Sequence, residues 1–155
     1  MTYYKLFPSK EAGFLAAFEM CAEAIFARVE GAIRTAEGMR AQIEAGLSAL
    51  VELGAERPQM LRVAFVEARA AAVASREAQL SWLSALVTLF TGGEEANWVG
   101  QMTLQSMMAI VALEVAAGRT EKLPAMLPEL SYVVLAPRLG AEVAAGITGV
   151  VASGS

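Results

Sequence analysis

The residue types that carry most enzyme chemistry are scarce in this chain. It has no histidine and no aspartate, and its one cysteine is Cys21. Serine–histidine–acid and cysteine–histidine nucleophile systems, histidine metal sites and the commonest general base are therefore excluded. All 16 acidic residues are glutamates. A glutamate pair can exchange protons with a substrate. These glutamates, however, are strung along amphipathic segments, where a solvated face is their ordinary place. No glycine-rich phosphate loop and no internal repeat is present. No catalytic residue, cofactor or metal is expected. What the chain offers instead is a set of large apolar side chains and one amide: Phe65, Trp82, Leu86, Phe90, Trp98, Met102 and Gln105. Aromatics and methionines line adaptable apolar pockets, and an amide can orient a ligand there. The same residues at helical spacing also make plain core, so both readings stand at this point.

The elements that must position these residues are helical. Hydrophobic residues make up 56% of the 155, and alanine, the best helix former, supplies much of that share. One all-α domain with a real core is the expectation. Ser9 is placed as a helix N-cap, and Glu11 suits the positive end of the helix dipole. Phe14, Phe18, Ala22, Ile25, Val29 and Ile33 then recur at three- and four-residue spacing, which predicts a first helix about six turns long. Glu30 and Arg34 stand one turn apart on its outer side and predict an ion pair. Gly38 predicts a break. A second helix carries Ile43, Leu47, Leu50 and Val51, and Gly54 and Pro58 bound the connection that follows it. A third begins near Pro58, at a position proline tolerates. The run Ala68 to Ala74 reads either as a tight joint or as continued helix. A fourth helix runs to a stop at Thr91-Gly92-Gly93.

The fifth helix has an unusual composition. From Ala96 to Leu113 no residue is charged, and Glu94, Glu95 and Glu114 flank the run. Its length reaches that of a membrane span. Asn97, Gln101, Thr103, Gln105 and Ser106 within it, with no Lys/Arg cluster to set an orientation, argue against one. Trp98, Met102 and Ala109 share one side; Leu104, Met108, Val111 and Val115 share another. A single small chain can cover one side, so the other needs a partner. Leu104, Met108, Val111, Val115, Leu130 and Val134 are the residues expected to meet a second copy, in an isologous four-helix seam. Gly118 reads as a C-terminal cap and Thr120 as the next start. Pro137 should kink or end the last long helix.

The net charge is −4, and no basic stripe could hold a phosphate backbone. One cysteine allows no internal disulfide, which fits a reducing cytosol. Charged residues among the first fourteen argue against a signal peptide. A cytoplasmic protein, not a membrane one, is expected.

Three stretches carry a family likeness. The opening Thr2-Tyr3-Tyr4-Lys5-Leu6-Phe7-Pro8-Ser9-Lys10-Glu11 resembles the passage from recognition helix to long connecting helix in tetracycline-repressor-type (TetR family) regulators. The run GLSALVELGAERPQMLRVAFVEA is similar to part of their regulatory domain, and LPELSYVVLAPRLG to their closing dimerisation helix. The resemblance implies a ligand-controlled repressor, in which a small hydrophobic effector lowers operator affinity. It implies that residues 1–8 are a remnant of a helix-turn-helix domain and 9–155 a helical ligand-binding and dimerisation domain. Thr2, Tyr4, Lys5 and Lys10 match positions that touch DNA in the family. The alternative is that Tyr3, Tyr4 and Phe7 pack against a missing neighbour or fold back on the first helix. This chain alone is not expected to bind DNA; operator DNA becomes a partner only when the missing N-terminal domain is present. A homodimer is implied. The alternative outside this class is a helical dimerisation or scaffold module without ligand.

Overall fold

A computed structural model describes residues 8–92 and 98–150, and among these every regular element is helical. Thr2, Tyr4 and Lys5 of the opening stretch, and Glu94, Glu95 and Asn97, lie outside the described residues. The long first helix, α1, runs Lys10–Thr35. Ser9 caps it as expected, its hydroxyl accepting the Ala12 N–H at 3.0 Å. Its buried face is Phe18, Ala22, Ile25, Val29 and Ile33, the stripe read from the spacing. The expected Glu30–Arg34 pair does not form; Arg28 instead reaches across to Glu56 on the next helix, at 3.9 Å. Both partners of that bridge are half-exposed, so it adds little.

Helix α2, Met39–Glu56, returns beside α1 and is the central strut of the fold, packed also against helices that follow it in the chain. Two glycines explain how it can be so crowded. A Cβ on Gly46 would lie 2.6 Å from Phe90 and 2.9 Å from Ile33, and one on Gly54 would lie 2.8 Å from Leu61. The helix passes through Gly54, which the spacing reads as bounding the next connection, and ends at Glu56, just before Pro58.

The segment after Pro58 is not one uniform helix. Helix α3, Pro58–Arg62, leads into a π-helical turn, Val63–Glu67, and that into a last short turn, α4, Ala68–Ala70. The ambiguous alanine run is thus resolved into a joint at residues 71–72, after which α5 spans Val73–Thr91. Gly92, at φ 68°, ends α5 in the left-handed conformation that glycine adopts without a Cβ clash. Helix α6, Trp98–Ala116, carries the uncharged run as far as Leu113, and Gly118 turns the chain at φ 70°. A 3₁₀ stretch, Thr120–Met126, precedes α7, Leu127–Leu139, and α8, Ala141–Thr148. Pro137 does not end α7. It sits in the last turn, forgoing only the bond its own nitrogen would have donated to the Val133 carbonyl, and Gly140 at φ 88° makes the stop.

One core joins all of these elements. Leu47, Leu50, Leu61, Leu86, Leu104, Met107, Leu123 and Leu135 are fully enclosed in it.

Candidate functional site

Trp82 organises the interior between α1, the π turn and α5. Its indole Nε1 donates to the Ala22 carbonyl of α1 at 3.1 Å. Its ring meets Phe65 edge-on, centroids 5.2 Å apart, and Phe18 edge-on at 6.2 Å. Such pairs add to simple burial because ring edges are positive and ring faces negative. Phe65 lies in the π turn, the wider helical geometry that often marks functional positions. One turn before Trp82, the buried Gln79 donates Nε2 to the Ala64 carbonyl at 2.6 Å, which ties the π turn to α5. No buried side-chain polar atom is left without a partner among the described residues.

Two of the clefts in the fold hold residues of the expected pocket. The smaller, about 290 Å³, lies between the π turn, α5 and α6. Its walls are apolar, from Phe65, Leu80, Leu83, Val87 and Met108, with the polar groups of Arg69, Ser84 and Gln105 around them. The larger, about 660 Å³, gathers the ends of five helices. Ile33 closes α1 there, Met39 and Gln42 open α2, Phe90 and Thr91 close α5, Gly100 and Gln101 open α6, and Arg138 closes α7.

The structure distributes the expected pocket residues over several places. Phe65 and Gln105 line the smaller cleft and Phe90 the larger. Leu86 and Trp82 are core, Trp82 being one contact behind the smaller cleft. Trp98 and Met102 line neither. They are 73% and 66% exposed on the outer face of α6. The expected interface residues are corrected too. Leu104, Met108, Val111, Val115, Leu130 and Val134 are at most 5% exposed within a single chain, so they have no surface with which to meet another copy. Spacing identified the two sides of α6 but could not say which one its own fold covers. The outer side is Trp98, Met102, Ala109 and Leu113, with Leu113 66% exposed. Thr103 and Ser106 turn their hydroxyls onto carbonyls of their own helix, at 2.6 and 2.8 Å, which quiets their polarity. By length and composition this helix could cross a membrane, and a third of it is buried inside the fold. Lys10 is the first residue of α1.

Sequence reading missed Gln79, Arg69, Gln42, Gln101 and Arg138. Gln79 was open to discovery: Ser75, Gln79, Trp82, Leu86 and Phe90 fall on one helical face, and a glutamine amid such residues calls for a buried partner. The other four are ordinary polar residues until the fold brings helix ends together. Among the described residues no three acidic, cysteine or histidine side chains gather to hold a metal. Burial pushes the Cys21 thiol above its ordinary value, and the negative charge of Glu67 adds to the shift. That suits an inert thiol better than a nucleophile. No protein-family model matches the chain, and neither a curated protein nor a solved structure matches it at a significant level.

Proposed function

We propose that this chain is the effector-sensing and dimerisation domain of a ligand-controlled transcriptional regulator of TetR-like type, cytoplasmic and without catalytic activity. Its effector is a small hydrophobic molecule held in the 290 Å³ cleft. The observation that carries the reading is a run of contacts from cleft to first helix. Phe65 lines the cleft, its ring meets Trp82, and Trp82 is bonded to the Ala22 carbonyl of α1. A ligand that displaces Phe65 must disturb Trp82, and Trp82 cannot shift without moving against α1. In the resembling family α1 is the helix that joins sensor to DNA-reading head. An effector acts only through unequal affinity for two arrangements, and the π turn, one residue wider than an α turn, supplies a segment with a second packing close at hand. DNA is a partner in this reading only where a helix-turn-helix domain accompanies the helical one. The second copy of the chain lies against the outer face of α6.

Thermal unfolding in the presence of a panel of apolar small molecules tests the reading, with Ala112→Trp as the control that fills the cleft, whose wall on α6 includes Ala112. Binding at one hundred times Kd stabilises by about 2.7 kcal/mol. Compounds that stabilise the wild type and not A112W support a sensor. A panel that leaves the wild type unmoved favours the helical scaffold without ligand.

A further inference from the structure

The larger cleft is chemically unlike the smaller one, and its difference centres on Arg138. This side chain is half-buried at the end of α7. Its Nη1 donates to the Val134 carbonyl of its own helix at 3.1 Å. Its Nη2 lies against α6 where Gly100 leaves room: a Cβ there would be 3.3 Å from that nitrogen. Arg28, Arg40, Arg62 and Arg119 each reach a glutamate, but Arg138 meets no carboxylate among the described residues. Among the described residues, no acidic side chain lines the cleft. In a chain of net charge −4, the described walls of the 660 Å³ space thus present one guanidinium and no carboxylate. Also in the lining are Gln42, Gln101 and the start of α2 at Met39, whose N-cap residue, Gly38, supplies no side-chain bond. The rest of the lining includes the apolar side chains of Ile33, Met39, Leu89 and Phe90.

We propose that this cleft is a second binding site, for a small organic monocarboxylate with a ring-sized apolar body. The carboxylate takes the free edge of the Arg138 guanidinium, whose planar fork matches two carboxylate oxygens. The apolar body lies on Phe90, Ile33 and Leu89. A half-buried cation without a counter-ion keeps part of its desolvation cost, and the ligand's charge removes it. The volume falls within the range of small-molecule sites. The site is independent of the effector cleft, with which it shares no lining residue.

Isothermal titration calorimetry with 2-naphthoate and its uncharged counterpart 2-naphthamide tests the assignment on the full chain. Wild type is expected to bind naphthoate at one site and naphthamide more weakly. Arg138→Gln should weaken naphthoate by about tenfold or more and leave naphthamide unchanged. Met39→Glu offers a second route that spares the fold. Met39 is 43% exposed at the first position of α2, where a carboxylate favours the helix. The same carboxylate repels the ligand and should also weaken naphthoate. A112W, which fills the smaller cleft, should bind naphthoate as the wild type does. The proposal is overturned if the wild type fails to bind naphthoate, if R138Q and M39E bind it undiminished, or if A112W loses it.

Discussion

Trp82 and Gln79 show how much of this molecule rests on single side chains that join elements far apart in the chain. Trp82→Phe removes the bond to Ala22 and some ring volume; a loss of about 1–3 kcal/mol in urea unfolding is expected. Gln79→Leu keeps the bulk but strips the Ala64 carbonyl of its donor, and a similar loss of roughly 1–3 kcal/mol follows. Cys21 should alkylate more slowly than a free thiol at neutral pH and speed up in urea, since burial and Glu67 hold its thiol protonated. The sequence made the large residues legible, because bulk and spacing are local properties. It did not say that Trp82 would be core, Trp98 surface and Phe90 part of a different cleft from Phe65. Those assignments depend on which neighbour each helix face meets, and that is decided at long range.

At the scale of elements, caps and stops were the most legible features. Ser9, Gly92 and Gly118 act where chemistry places them. The π turn was not legible: its register depends on Gln79 and Trp82 arriving from α5. Glycines show the same divide between local and distant causes. Gly31→Ala, with nothing within 4 Å of the new methyl, should stabilise α1 by about 0.5–1 kcal/mol. Gly46→Ala sets a methyl 2.6 Å from Phe90 and should cost about 1–3 kcal/mol, read by the same urea titration. The end of α6 carries a pH signature. Arg119 grips Glu114 through two bonds of 2.8 and 2.7 Å. That hydrogen bonding holds the Glu114 carboxyl below its ordinary 4.5, against a smaller opposing push from burial. A lowered acid contributes stability that is complete above its unfolded value and lost as pH falls through the folded one. Arg119→Gln should therefore lower Tm near neutrality, and its difference from wild type should close as pH drops below the ordinary carboxylate value. The pair is exposed, so added salt should shrink the effect.

For the whole molecule, the all-helical class and the order of long helices follow from composition and period, and the fold agrees with them. The two-sided apolar character of α6 was legible as well. Its assignment was reversed: Leu104, Met108, Val111 and Val115 are enclosed by the chain itself, while Trp98, Met102 and Leu113 face outward. Periodicity gives the angle between two faces, not the identity of what covers each. An uncharged outer face of this size, its hydroxyls folded back on their own helix, is the kind of surface that proteins cover. In the proposed regulator the cover is a second copy, brought face to face by a twofold axis. Sedimentation velocity of the wild type beside the Met102→Glu, Leu113→Glu double variant tests this directly. A wild-type dimer and a variant that is monomeric with unchanged far-ultraviolet circular dichroism are predicted; a wild type that stays monomeric at high concentration would contradict the account.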